Sequence, residues 1–363
     1  MTKSKVLAFF LPQYHEIPEN NEWWGAGFTE WTNVKRAKNL FTGHRQPRAP
    51  LNANYYNILD ESTIEWQTSL ANRYGIDGFV YYHYWFNGRR LLERPFDSLL
   101  ENQSINQRFA LAWANEPWTR AWDGGDKQVL MPQEYGGKEE WRAHFEYLGK
   151  AFQDVRYICV DNKPMFIIYR PSSIPNLSEM ISFWRELATE KGFVGLHVVG
   201  MNTYFESSVS VPCFDATLDF EPMFTISSEL PFLTRFFRKN ITRIRKVWNR
   251  IQTKSQIVQD LLDYDVLWKR ILMRPISENR YLGAFVDWDN TPRKGTRGLV
   301  LTGFSVKKFS TYFKKQYQRS CEADVPFVFV NAWNEWAEGT YLEPDEENKL
   351  GLLEAIKKAQ SNQ

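Results

Sequence analysis

The sequence predicts an α/β protein, a (β/α)8 TIM barrel with its active site at the C-terminal ends of the strands. Three observations lead there. Eight short runs rich in β-branched and aromatic residues alternate with stretches of helical spacing, the pattern of a parallel sheet with crossover helices. Polar and aromatic residues gather where those runs end, and in a barrel all such ends meet on one face. A doubly wound sheet is the competing fold, but the turn after the first run, "LPQYHEIPE", lacks the Gly-rich phosphate loop that fold carries there.

"KVLAFFLPQY" (5–14) reads as the first strand. "ESTIEWQTSLANRYG" (61–75) is a helix, with Ser62 and Thr63 near its start and Gly75 at its end. "IDGFVYYHYW" (76–85) is a second strand, "RPFDSLLENQ" (94–103) a short helix and "RFALAWANEPW" (108–118) a third strand. A helix over 138–153 precedes the fourth strand, "KPMFIIYRP" (163–171). A helix over 178–192, with apolar residues at helical spacing, leads to "LHVVGMN" (196–202) and "FDATLDFEP" (214–222), strands five and six. "YLGAFVDWDN" (281–290) is the seventh strand and "VPFVFVNAW" (325–333) the eighth, with helices over 305–319 and 349–360 after them.

At 363 residues the chain could hold two or three domains, but α/β barrels often exceed the usual domain size as one unit. One barrel domain over 1–363 is expected, with a basic helical insertion at about 231–275. From Pro231 to Val258 that insertion carries eight Lys and Arg (235, 238, 239, 243, 245, 246, 250 and 254) and no acid. Leu233, Phe237, Ile241, Ile244, Trp248 and Ile251 recur at helical spacing within it. Such a helix either packs on the barrel with its basic face in water or contacts an anionic membrane surface or acidic glycan.

Composition narrows the function. A net charge of +2 makes no call for nucleic acid. The aromatic content is high, with 15 Trp, 17 Tyr and 26 Phe, many beside Asn, His, Asp or Glu. Sugar clefts look like this, because a pyranose offers a C–H face to a ring and hydroxyls to polar side chains. A large aromatic core accounts for the rest. Cys159, Cys213 and Cys321 are widely spaced and match no metal or redox pattern, so they read as reduced thiols. The apolar run Val6 to Leu11 is too short for a signal sequence, and no segment is long enough to span a membrane. A cytoplasmic protein is expected, either free or peripheral at the inner membrane face.

The strand-end clusters are Gln13, Tyr14 and His15; His83, Tyr84 and Trp85; Trp113, Asn115 and Glu116; Asp219 and Glu221; Asp287, Trp288 and Asp289; and Asn331, Asn334 and Glu335. No G-x-S-x-G elbow or H-E-x-x-H helix accompanies them. Carboxylates and aromatics remain, and they suit glycosidic bond chemistry, where one carboxyl protonates the leaving oxygen and another activates or acts as the nucleophile. Glu335 and Glu338 stand three positions apart in "NAWNEWAEGTYLEPD" (331–345). Trp333 and Trp336 could supply the apolar surroundings that keep one of them protonated. Glu116 in "NEPW" (115–118) is the rival catalytic residue, or a binder of a substrate hydroxyl.

"FFLPQYHEIPENNEWWGAGFTEWTNV", "YGIDGFVYYHYWFNGRRLLERP", "WANEPWTRAWDG", "DNKPMFIIYRP", "DWDNTPR" and "AWNEWAEGTYLEPD" together resemble the WbsX-like family, from residue 5 to about 355. That family is often labelled glycosyltransferase or lipopolysaccharide biosynthesis protein and is described as having a domain like glycoside hydrolase family 99. The likeness to family 99 itself rests mainly on the barrel and on "WNEWAEG". It implies a metal-independent, cofactor-free retaining enzyme acting on α-mannosidic bonds. By that resemblance Glu335 would take the proton of the sugar's own 2-hydroxyl, forming a 1,2-anhydro sugar, and Glu338 would be the general acid/base. Tyr14, His15, Trp24, Trp31, His83, Tyr84, Trp85, Trp113, Asn115, Glu116, Trp118, Trp122, Glu221, Asp289, Asn334 and Trp336 are the candidate substrate-binding residues, and no metal ligand is expected.

Three function classes follow. The first is a glycoside hydrolase or transglycosylase acting on an α-linked, mannose-like bacterial surface polysaccharide or its precursor. The second is a glycosyltransferase of O-antigen or capsule assembly, for which "DWD" (287–289) is a weak metal–nucleotide signal. The third is a glycan-binding barrel without catalysis. The expected partner in each is an oligosaccharide or polysaccharide.

Overall fold

The computed structural model describes residues 3–120, 128–203, 212–252 and 257–361. Eight parallel strands form its central sheet: β1 (Lys5–Phe10), β2 (Gly78–Phe86), β3 (Phe109–Trp113), β4 (Lys163–Ile168), β5 (His197–Asn202), β6 (Ala216–Asp219), β7 (Arg280–Phe285) and β8 (Phe327–Asn331). Each pairs with the next. β1 closes the ring, pairing with β2 from Leu7↔Gly78 and with β8 from Lys5↔Phe327. The predicted (β/α)8 barrel is the observed fold.

The strands read as nearly continuous apolar runs because both of their faces are covered, by side chains inside and by helices outside. Phe9 meets Tyr82, Phe220 and Phe329 across the interior at ring-centroid distances of 5.6, 5.3 and 6.0 Å. Phe10, the next residue, points the other way and packs on Phe79 and Tyr81. This period of two decides which strand-end residues reach the site.

The helices, in chain order, are α1 (Pro18–Trp24), α2 (Glu30–Arg36), α3 (Glu61–Arg73), α4 (Arg94–Glu101), α5 (Lys138–Phe152), α6 (Leu177–Glu190), α7 (Phe232–Ile251), α8 (Tyr264–Met273), α9 (Thr291–Lys294), α10 (Val306–Glu322) and α11 (Gly351–Ser361). α10 shows why they form. The Ser305 hydroxyl accepts from the Lys308 N–H at its start, and Phe309, Phe313, Gln316, Tyr317 and Ser320 fall on one buried stripe. The sequence reading placed α3 to α6, α10 and α11 within three residues at each end but did not resolve α1, α2, α8 or α9 as separate helices.

Six of the eight expected strands overran at their C-terminal ends, while the second fell one residue short and the fifth ended at Asn202 as expected. β1 stops at Phe10 because Pro12 has no N–H for a ladder and the Leu11 N–H is taken by the Asn334 side chain at 2.7 Å. β3 stops at Trp113, four residues before Pro117. The segments beyond the strands are polar for the same reason: they have left the sheet and line its mouth.

β6 and β7 approach unusually closely. A Cβ on Gly283 would lie 1.9 Å from the Asp219 carbonyl oxygen, so only glycine fits there. Gly283→Ala is expected to destabilise the fold by about 1–3 kcal/mol, read as a lower urea midpoint. An unchanged midpoint would contradict this strand packing.

Candidate active site

The barrel mouth holds a cleft of about 650 Å³, within the range of small-ligand sites. Leu11 follows β1. Tyr82 and Tyr84 belong to β2. Ala114 and Glu116 follow β3, Tyr169 and Arg170 follow β4, and Phe220 and Met223 follow β6. Trp288, Asn290 and Arg293 follow β7, and Glu335 and Glu338 follow β8. Trp24 and Trp118 complete an aromatic wall, with Trp118 edge-on to Tyr84 at 5.2 Å. Trp288 Nε1 is buried with no hydrogen-bond partner among the described residues.

The centre of the cleft is a charge cluster around Arg293. Its Nε and Nη2 donate to Glu30 Oε1 at 2.9 and 2.6 Å, its Nη1 to Glu338 Oε1 at 2.6 Å and its Nη2 to Glu335 Oε2 at 3.1 Å. Three elements supply the four residues: α2, α9 and the turn after β8. Arg293 and Glu30 are buried, while the Glu338 side chain keeps 21% of its surface exposed. Burial pushes the Glu335 carboxyl up from 4.5 to about 8, with the Glu338 and Glu30 charges adding to it and Arg293 opposing. Burial also raises Glu30, again against Arg293. Across the cleft, burial raises Glu116, opposed by Arg170, whose Nη1 donates to Glu116 Oε2 at 3.2 Å.

The surrounding residues hold this cluster in register. The Asn334 side chain donates to the Leu11 carbonyl at 3.0 Å and accepts from the Leu11 N–H, tying the end of β1 to the turn that carries Glu335 and Glu338. Tyr14 Oη donates to the Asn334 carbonyl. Gly339 turns the chain after Glu338 at φ 68°. Arg48 binds the Gly339 carbonyl and Asp287 Oδ2 at 2.9 and 2.8 Å, and the Asp289 N–H donates to the Glu338 carbonyl at 2.7 Å. Asp289 Oδ1 also accepts from the Thr291 N–H at 3.0 Å, fixing the start of α9 and therefore Arg293.

Of the residues predicted from sequence, Trp24, Tyr84, Glu116, Trp118, Glu335 and Glu338 line the cleft. Others are corrected to a place behind it. His83 and Trp85 alternate with Tyr82 and Tyr84 and face outward. His83 Nε2 lies 2.8 Å from His144 Nε2, and Trp85 stacks on the His144 ring at 4.5 Å. Trp113 packs outward on His144 and Trp184. Asn115 pairs with the Arg170 backbone, donating at 2.9 Å and accepting at 2.7 Å. Tyr14 and Trp31 pack on each other and on Tyr56. His15 is buried with Nδ1 on the Pro12 carbonyl, and burial lowers it to about 4. Glu221 is an ion-pair partner of Arg274, Asp289 is held by His44 and Gln46, and Asn334 is the clamp described above.

Trp336 stacks on Tyr341 at 3.8 Å and donates to Glu343 Oε2 at 2.6 Å. Trp122 lies outside the described residues. Both aspartates of "DWD" are engaged behind the cleft, and only Trp288 between them lines it.

Sequence reasoning missed Glu30, Tyr82, Tyr169, Arg170, Trp288 and Arg293 as site residues. For Tyr82 and Trp288 the usable signal is strand alternation, two residues before Tyr84 and between two clustered acids. Glu30 and Arg293 stand inside "GAGFTEWTNV" and "DWDNTPR", but nothing local says that the two meet.

The profile of the WbsX glycosyltransferase family matches residues 6–356. Protein WxcX from two strains of Xanthomonas campestris pv. campestris is 32% identical over 359 residues, 98% of this chain and 49% of each relative. The chain spans about half the length of these curated relatives. Among solved structures, a glycoside hydrolase-like protein superposes with a TM-score of 0.58 at 12% identity, over 99% of this chain and 94% of its own. The family GH99 endo-alpha-mannosidase from Bacteroides thetaiotaomicron superposes with a TM-score of 0.55 at 11% identity, over 99% and 97%. These likenesses concern the fold. The chain belongs to the WbsX glycosyltransferase family.

Arg293→Met removes the shared cation and leaves buried carboxylates unpaired. A loss of about 3–5 kcal/mol is expected at neutral pH. Glu30 in the variant binds its proton more tightly folded than unfolded, so it favours the fold at low pH and disfavours it as pH rises. Urea unfolding should therefore show the deficit narrowing as pH falls. A deficit independent of pH would contradict the pairing.

Proposed function

We propose that this member of the WbsX family is a carbohydrate-active enzyme that cleaves or transfers an α-linked, mannose-like unit of a bacterial surface polysaccharide or its precursor. One observation carries the reading: two carboxylates on a single turn share one buried guanidinium at the wall of an aromatic cleft. A pair on the same side suits two adjacent positions of one sugar, the 2-hydroxyl and the glycosidic oxygen. It does not suit attack from opposite faces, which needs opposed carboxyls.

In the proposed reaction, Glu335 accepts the 2-hydroxyl proton as O2 attacks C1. The bond from C1 to the leaving oxygen breaks, and Glu338 gives that oxygen its proton. Water or an acceptor hydroxyl then opens the 1,2-anhydro ring at C1, losing its proton to Glu338, and Glu335 returns the proton to O2. Two inversions give net retention. A base held at about 8 is a strong proton acceptor once ionised. The ring-lined walls of Tyr84, Trp118 and Trp24 offer faces for sugar C–H groups. Glu116 with Arg170 is placed to bind hydroxyls on the far side.

A second reading has its own observation. Lys294 and Arg297 line the same cleft, and neither is held in an ion pair among the described residues. Two such cations suit a phosphate, as in a nucleotide-sugar donor.

Incubating the protein with α-mannan, rhamnan and O-antigen oligosaccharides, with and without nucleotide sugars, and following products by mass spectrometry separates the readings. Cleavage or exchange without nucleotide is expected, falling about 10²–10⁴-fold in both Glu335→Gln and Glu338→Gln. Chain growth only with nucleotide sugar would overturn it.

With Glu335 as base, kcat/KM should climb as pH rises through about 8. A fall through the same region would make Glu335 the acid instead. Glu116→Gln is expected to raise KM more than it lowers kcat. Complete loss of turnover would instead promote Glu116 to the acid role.

A further inference from the structure

We infer that α7 is an interfacial anchor that docks on an anionic membrane and holds the cleft at the surface to receive a lipid-carried saccharide. The helix is amphipathic, and it is attached the unusual way round. At about 100° per residue, Phe232, Leu233, Phe236, Phe237, Ile241, Ile244, Val247, Trp248 and Ile251 fall on one half of its circumference. Arg235, Arg238, Lys239, Arg243, Arg245, Lys246 and Arg250 fall on the other half or its edges, and no acid is present.

An ordinary surface helix turns its apolar half to the core. Here the apolar half is in solvent: Phe232 is 78% exposed, Phe237 58%, Ile244 68% and Ile251 73%. Two attachments come from the polar half. Arg238 makes a two-armed ion pair with Asp260 at 2.8 and 2.6 Å. Asn249, the one buried residue of the helix, exchanges hydrogen bonds of 2.7 and 2.8 Å with the Ile257 backbone. Burying the apolar half against the barrel would break both attachments.

The exposed face therefore requires an occupant, and charge selects it. A second copy of this chain would bring together two basic helices that carry no acid of their own, each with six cations besides the paired Arg238. A lipid surface with anionic headgroups takes the apolar half into its acyl boundary and meets the cations at its headgroups. No described helix is long and apolar enough to cross a membrane, so α7 lies on the surface. Its position gives the anchor a purpose: Arg238 and its partner Asp260 both line the cleft, next to Lys294 and Arg297. The saccharide part of this inference rests on the carbohydrate reading of that cleft; the membrane part does not.

The full chain should pellet with phosphatidylcholine vesicles that contain phosphatidylglycerol, not with phosphatidylcholine alone, and high salt should release it. Phe237→Glu with Ile244→Glu should weaken binding roughly a hundredfold or more while melting like the wild type, and Ile244→Leu should retain it. Arg243→Gln with Lys246→Gln gives an independent variant that leaves the apolar face intact and should shift binding to lower salt. Wild type remaining in the supernatant at low salt, or the double glutamate variant pelleting undiminished, would overturn the anchor. So would a dimer in light scattering that the same variant dissolves. Turnover of soluble oligosaccharide should be unchanged in the α7 variants. Its absence from the wild type, with vesicle binding intact, would count against the carbohydrate reading alone.

Discussion

The guanidinium of Arg293 is the interaction on which the site depends. It touches three carboxylates from two other elements, and each contact constrains a different part of the barrel mouth. A buried arginine is costly to desolvate unless its donors are all used by carboxylates in good geometry. That requirement fixes α2, α9 and the turn after β8 relative to each other. It also leaves one cation among three acids, so the cluster carries an excess of negative groups in a dry place. Burial above all, with the neighbouring Glu338 and Glu30 charges adding to it against Arg293, holds the proton on Glu335 to about 8.

The neighbouring polar residues make sense as supports for that arrangement. Asn334 ties the turn of Glu335 and Glu338 to β1, Asp289 sets the start of α9, and Arg48 joins Gly339 to Asp287. None of them lines the cleft, yet each loss would let a carboxylate or the guanidinium drift. A shift of even a fraction of an ångström matters for proton transfer, which needs hydrogen-bond reach. The aromatic residues divide in the same way. Tyr82, Tyr84, Trp118 and Trp288 face the cleft, while Trp85, Trp113 and Trp336 fill the layers behind it.

The barrel was legible because strand and helix periods are local properties, and each strand is followed by polar residues wherever it leaves the sheet. The side of a strand on which a residue falls is also local, yet the cluster His83, Tyr84 and Trp85 was read as a unit when only its middle member can reach the cleft. That Glu335 and Glu338 sit together at the cleft was legible from their spacing directly after the last strand. The Glu30–Arg293 contact was not, because 263 positions separate its partners and only closure of the barrel brings them together. α7 shows a further limit. Its amphipathicity is plain in the sequence, but which half faces the barrel is decided by Arg238 and Asn249 finding partners beyond the helix.

The ionisation of Glu335 tests this arrangement most directly. Carbon-13 NMR of the glutamate carboxyls across pH, with the Glu335 resonance assigned by its loss in Glu335→Gln, reads it without any substrate. Titration near 8 is the expected result, and it would mean that Glu335 is as buried and as crowded by acids as the Arg293 cluster implies. Titration at the ordinary 4.5 would mean an open, solvated turn and would contradict the cluster as the centre of the site.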